Sequence, residues 1–153
     1  MSSIASFAPR SSRIPIQPEA LSATDGAFTR WQIRPPEPRL EGVSLALTTS
    51  ARVFERRVLL RRPEPSSRTL QIIATAIWSH RSAEEAAPDL ELSVPGAAGE
   101  SWQLEIEQGD NSAMPLGSAA LLTPTAGIRY FGTGSPLRLS YGRGDLAPPR
   151  YDL

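Results

Sequence analysis

The single histidine, His80, closes an apolar run behind Trp78 and precedes Arg81. A serine hydrolase would need that imidazole held between a serine and a carboxylate. No G-x-S-x-G elbow supplies the serine, and a lone histidine at a strand end reads as a surface residue. Carboxylates are the second source of chemistry. Glu105 and Glu107 sit two residues apart, about 6–7 Å along one strand face, a spacing that superficially suits the acid/base pair of a glycosidase. Asp110 and Asp145 are further candidates for such a pair. Alternation puts both glutamates on the polar face of their strand, so solvation is the expectation for each. Asp110 and Asn111 follow Gly109 and could offer oxygen ligands to Ca²⁺. Their neighbours Ser112, Ala113 and Met114 add no carboxylate, and a turn is the better reading.

Gly142 to Ala147 fits G-x-G-x-x-A, the pattern of a dinucleotide-binding turn. That chemistry needs a helix N-terminus facing the pyrophosphate, and Pro148-Pro149 forbids the helix. The same stretch contains Arg143-Gly144-Asp145, a tripeptide that some adhesion receptors recognise and that ordinary turn chemistry also explains. Trp31, Trp78 and Trp102 could stack on a sugar, but each lies in an apolar strand pattern, where core packing is the default. Six arginines fall between Arg52 and Arg68 with Phe54 as the aromatic among them, too little interleaving for a single-strand nucleic-acid groove.

Composition removes more chemistry than these groups supply. All 16 basic residues are Arg, so Walker-type phosphate loops, Schiff-base chemistry and Ser–Lys dyads have no lysine to use. With no Cys there is no thiolate nucleophile, iron–sulfur cluster, Cys-ligated zinc or disulfide. One histidine cannot build a multi-histidine metal site. The 16 acidic residues cancel the 16 basic ones, so no global charge draws the chain to nucleic acid or an anionic membrane. The first fifteen residues hold no apolar stretch of signal-peptide length. The longest apolar-rich run, Leu70 to Trp78, is well short of the roughly 18–20 residues of a spanning helix, so no membrane insertion by this chain is expected.

The elements that must position these groups are mostly strands. Residues 1–26, rich in Ser, Pro and Ala, read as an extended arm with one edge strand around Ile14–Gln17. From residue 27 to 153, short runs alternate with Pro and Gly: Phe28–Ile33, then Val43, Leu45 and Leu47 at period two, then Val53–Arg61. In the last of these, Phe54, Val58 and Leu60 share a face; Arg56 falls on that apolar face and needs a partner or an edge position. Thr69–Trp78 is apolar on both faces, as expected of a central strand covered on two sides. Trp102, Leu104 and Ile106 alternate with Gln103, Glu105 and Glu107. Ile128–Phe131, Leu137–Tyr141 and Arg150–Leu153 complete the series. One helix of at most about two turns is expected from the S-x-x-E pattern at Ser82–Glu85, stopped by Pro88. Eight or nine short strands imply an all-β antiparallel sandwich or barrel. The last strand stops at Leu153 as its apolar pattern begins, which points to a piece of a longer protein.

Three stretches carry a resemblance. Ser101 to Asn111 followed by Met114-Pro115-Leu116, Pro136 to Gly142 followed by Pro149 to Leu153, and Phe54-Glu55-Arg56-Arg57-Val58 after Val43-Ser44-Leu45 resemble segments of an uncharacterised bacterial envelope protein family, over roughly residues 40–153. The resemblance implies a jelly-roll sandwich of galactose-binding or discoidin type, exported to the periplasm or cell envelope and attached to a membrane-anchored protein. It brings no catalytic residues, and the missing signal peptide leaves the cytoplasm open. The expectation is therefore a non-catalytic binding or interaction module, recognising a glycan or an envelope protein partner, without enzyme activity, cofactor, metal or nucleic acid. Its contacts would fall at two turns, one with Asp110 and Asn111 and one with Tyr141, Arg143 and Asp145. The alternatives are a structural domain that self-associates through an unpaired edge strand, and a carbohydrate-active hydrolase using Glu and Asp.

Overall fold

In the computed structural model, residues 11–21, 27–64, 67 and 69–125 are described, and they form nine strands: β1 (Ser11–Ile16), β2 (Glu19–Leu21), β3 (Phe28–Ile33), β4 (Ser44–Thr49), β5 (Phe54–Pro63), β6 (Leu70–His80), β7 (Leu90–Ser93), β8 (Trp102–Glu107) and β9 (Leu116–Pro124). All pairings are antiparallel. One sheet has the order β1-β9-β4-β7 and the other β2-β3-β8-β5-β6. The strands expected at Ile128–Phe131, Leu137–Tyr141 and Arg150–Leu153 lie outside the described residues.

The pairings nest. β5 pairs with β6, β4 with β7, β3 with β8 and β1 with β9, so the chain is one long hairpin rolled onto itself. With the three-residue β2 set aside, this is the eight-stranded, two-sheet jelly roll. Alternation dictates which side chains meet between the sheets. Leu45 and Leu47, Val58 and Leu60, Trp102, Leu104 and Ile106, and Leu121 are all fully buried there. Each such side chain contributes about 1.5–3 kcal/mol of burial. At the β5–β6 side, Phe54 and Trp78 meet edge to face with centroids 5.5 Å apart, and the Trp78 indole N–H donates to the Pro88 carbonyl at 3.1 Å.

Two expected elements come out differently. Among the described residues there is no helix. Ser82 Oγ accepts from the Glu85 N–H at 3.2 Å, the bond a capping box would make, but Pro88 leaves no room for turns behind it. The run Thr69–Trp78 is not a central strand: β6 is the outermost strand of its sheet among the described residues. β7 and β9 were not expected. β9 is built from Leu116 to Pro124 with Gly117, Ser118 and two alanines, residues of low strand preference. Gly117 is required where it stands, because a Cβ there would meet Thr48 Oγ1 at 2.7 Å. That hydroxyl accepts from the Ser118 N–H, also at 2.7 Å, where the β4–β9 register shifts. Ser11–Ile16 and Glu19–Leu21, within the stretch read as an arm, lie at one edge of each sheet.

Candidate functional site

On the outer face of the five-stranded sheet, β8 carries Glu105 between β3 and β5. The register sets Arg30 directly opposite it on β3, and Arg61 two residues along β5 from its direct partner Leu59. Arg30 Nε donates to Glu105 Oε1 at 3.1 Å, Arg61 Nε to Oε2 at 2.9 Å, and Gln103 Nε2 to Oε1 at 2.8 Å. The carboxylate is thereby enclosed: Glu105 is 6% exposed, not solvated as alternation suggested. Burial pushes its pKa up. The hydrogen bonds from Arg30, Arg61 and Gln103, with the charge of Arg61, outweigh burial and hold it below the ordinary value of 4.5. A carboxylate held ionised by two guanidinium groups is a poor general acid.

Arg56, which needed a partner, finds one in Gln108. Arg56 Nε donates to Gln108 Oε1 at 3.0 Å, and the Met114 N–H donates to the same oxygen at 3.2 Å. Gln108 Nε2 donates to Thr29 Oγ1 at 2.8 Å, and the Gln108 N–H to the Ala27 carbonyl at 2.7 Å. Gln108 is 2% exposed, and its amide fixes both ends of the turn that holds the first pair of expected ligand residues. Gly109 allows that turn through φ +57°. Asp110 and Asn111 are both exposed on it, and Asn111 donates Nδ2 to the Gln108 carbonyl at 3.1 Å. Tyr141, Arg143 and Asp145 lie outside the described residues.

The structure brings together a different set. A cleft of about 610 Å³ opens at the end of the β5–β6 hairpin, lined by Arg62, Glu64, Gln71, Gly99, Glu100 and Ser101 with Pro63 and Ala97. One wall is pinned to the 38–41 segment: Ala98 N–H donates to Leu40 O at 2.7 Å and Gly99 N–H to Pro38 O at 2.8 Å. Trp102 Nε1 donates to Ala98 O at 2.6 Å, and Arg62 Nη1 crosses to Ala97 O, also at 2.6 Å. Glu64 accepts from Ser67 and Thr69 in the hairpin loop. These groups can hold a polar ligand by hydrogen bonds. No contiguous motif could have revealed them, since they come from the end of the β5–β6 hairpin and from the 97–101 loop, more than 25 residues apart.

Trp78 and Trp102 are core residues with their indole N–H groups satisfied, and Trp31 is half-buried against the core. His80 is half-buried at the end of β6, its Nδ1 against the Arg52 carbonyl. Among the described residues no buried side-chain nitrogen or oxygen lacks a partner. No group of three His, Asp or Glu among them is placed to hold a metal ion. No helix among them is long and apolar enough to cross a membrane.

The remaining unusual surface is β6 itself. Its eleven residues, Leu70 to His80, contain no proline, no glycine and no Asp, Glu or Arg. Ile72 and Ile77 point to the outer face and are 47% and 62% exposed. The other edge strands are guarded. β1 carries Arg13 and Pro15, β2 is three residues long with Glu19 paired to Arg34, and β7 is four residues long with Glu91. Comparison with protein-family models, with curated proteins and with solved structures finds no match, so the site's geometry is what any functional reading must rest on.

Proposed function

We propose that this chain is a non-catalytic interaction module that recruits a partner by strand addition to β6. The observation that supports it is the length and chemistry of that strand: eleven residues without Asp, Glu or Arg at what is, among the described residues, a sheet edge, where the other edges carry proline, charge or very short strands. Backbone N–H and C=O groups along such an edge bind a further strand, and alternate side chains select it. The buried Glu105 cluster and the core-facing tryptophans serve the scaffold rather than a reaction. The resemblance noted above implies a partner at the bacterial cell envelope.

The test is amide exchange on the dilute chain. Residues Ala74–His80 should exchange much faster at alternate, outward-directed N–H groups than the paired amides of β5. Uniform protection along β6 would show its edge already covered and end this reading.

The cleft supports a second reading, a small polar ligand of glycan type held by Arg62, Gln71, Glu100 and Ser101. A thermal-shift screen against mono- and oligosaccharides checks it. A ligand at about 100 times its Kd should add about 2.7 kcal/mol, a shift of several degrees for a domain of this size. A shift that persists in Arg62→Ala would move the ligand elsewhere.

A further inference from the structure

Building on strand addition at β6, we propose that its partner is β6 of a second copy of this chain, paired antiparallel about Ile77 in a closed two-fold dimer. The first reason is local regularity. β6 is bulged at its first half, where Arg61 pairs with Ile72 and Leu60 with Ala74, leaving Ile73 as the extra residue. From Ala74 to His80 the pairing with β5 is uninterrupted, and Ile77 is the middle of those seven residues. An antiparallel pair centred there sets Ala74 against His80, Thr75 against Ser79, and Ile77 against itself. Directly opposed side chains on one face lie about 4.5–5.5 Å apart at Cβ. The most exposed isoleucine on the sheet would thus be covered by its own equivalent.

The second reason is exclusion of other pairings between copies. Of the edges among the described residues, β1 is interrupted by Pro15, and β2 and β7 have three and four residues. None can receive seven residues of β6 as a continuous ladder. Among the described edges only β6 can pair with β6, and an isologous contact closes at two copies where a head-to-tail one would propagate.

Charge permits the contact. The chain carries 16 basic and 16 acidic residues, and the strand itself carries none of either. Arg57 lies beside Ile77 on β5. In the dimer the two Arg57 side chains stand three strand spacings apart, about 14 Å, beyond the Debye length of about 8 Å at physiological salt. The two five-stranded sheets would join into one sheet continuous across both copies. One strand pair is a small contact, so the dimer should be weak.

Sedimentation across about 1–500 µM tests it, with amide exchange on the same samples. The expected result is a passage from one chain mass to two, with Ala74–His80 amides gaining protection as the dimer forms. Ile77→Lys places like charges face to face at the axis and should remain monomeric throughout while melting like the parent. Because the chain has no Cys, Ile77→Cys introduces a single thiol, and a short thiol–thiol cross-linker should join two such chains. Val53→Cys, on an exposed residue outside the strands, should not be joined. A monomer at all concentrations with fast exchange along β6 would overturn the second copy as occupant and leave strand addition standing. A monomer with β6 protected would overturn both. A dimer that persists in Ile77→Lys, or that joins through Val53→Cys, would overturn this pairing.

Discussion

β8 and β6 lie two places apart in one sheet, and their outer faces invert the usual assignment of burial. On β8 the outward residue at the centre is Glu105, 6% exposed; on β6 the outward residues are Ile72 and Ile77, 47% and 62% exposed. Side-chain type does not decide this; position in the sheet does. A central strand has neighbours on both sides, and here they bring Arg30 and Arg61 over the carboxylate. β6 has one neighbour among the described residues, and there even an isoleucine remains half in water. The difference teaches that on β8 intramolecular ion pairs enclose the outward side chain, whereas on β6 nothing among the described residues does.

Substitution at Glu105 should break the first half of that comparison with the largest effect. Glu105→Ala removes the carboxylate to which both the Arg30 and the Arg61 guanidinium groups donate. Because both arginines keep some solvent contact, a loss of about 2–3 kcal/mol in denaturant unfolding is expected, at the low end for buried pairs. Gln108→Ala comes next. Removing its amide strips a partner from Arg56 Nε, the Met114 N–H and Thr29 Oγ1, for about 1–3 kcal/mol by the same measurement.

Acid should sharpen the comparison without mutation. The pKa of Glu105 is depressed in the folded chain, so its stabilisation is complete above 4.5 and is lost as pH falls through the lower, folded value. Urea midpoints taken from pH 7 downward should fall below about pH 4.5 in the parent. The Glu105→Gln chain should lose less over the same interval. Smallest of all is the other half: Ile77→Thr, on the exposed edge, should change monomer stability by no more than about 0.5 kcal/mol. Asp110→Ala at the exposed turn should do as little.

The strands with strict alternation were legible in the sequence because the sandwich has one wet and one dry face. Leu45 and Leu47, and Trp102, Leu104 and Ile106, fall where period two puts them. β9 was not legible: its Gly-Ser-Ala-Ala stretch has no intrinsic strand preference and is held by β1 and β4 on either side. β6 was misplaced for a related reason, since a run apolar on both faces reads the same whether it is covered or left open. The Glu105 cluster needs the register of three strands, and the cleft needs two loops to converge, neither of which any local pattern encodes. Arg56 was the exception, a charged residue on an apolar face that announced a partner before Gln108 was placed.

The nested pairing also sets an order of events in folding. β5 and β6 are joined by a short loop, so their hairpin can close within microseconds, while Ser11 meets Pro124 across more than a hundred residues. Each inner pair, once formed, shortens the loop that the next pair must close. The chain should therefore zip outward from the β5–β6 tip, with β1 docking on β9 last. Interactions made that late lie beyond the folding barrier, so they govern how long the native state lasts rather than how fast it is reached. The clasp on this domain's lifetime is then β1, Ser11–Ile16, far in sequence from the hairpin that starts the roll.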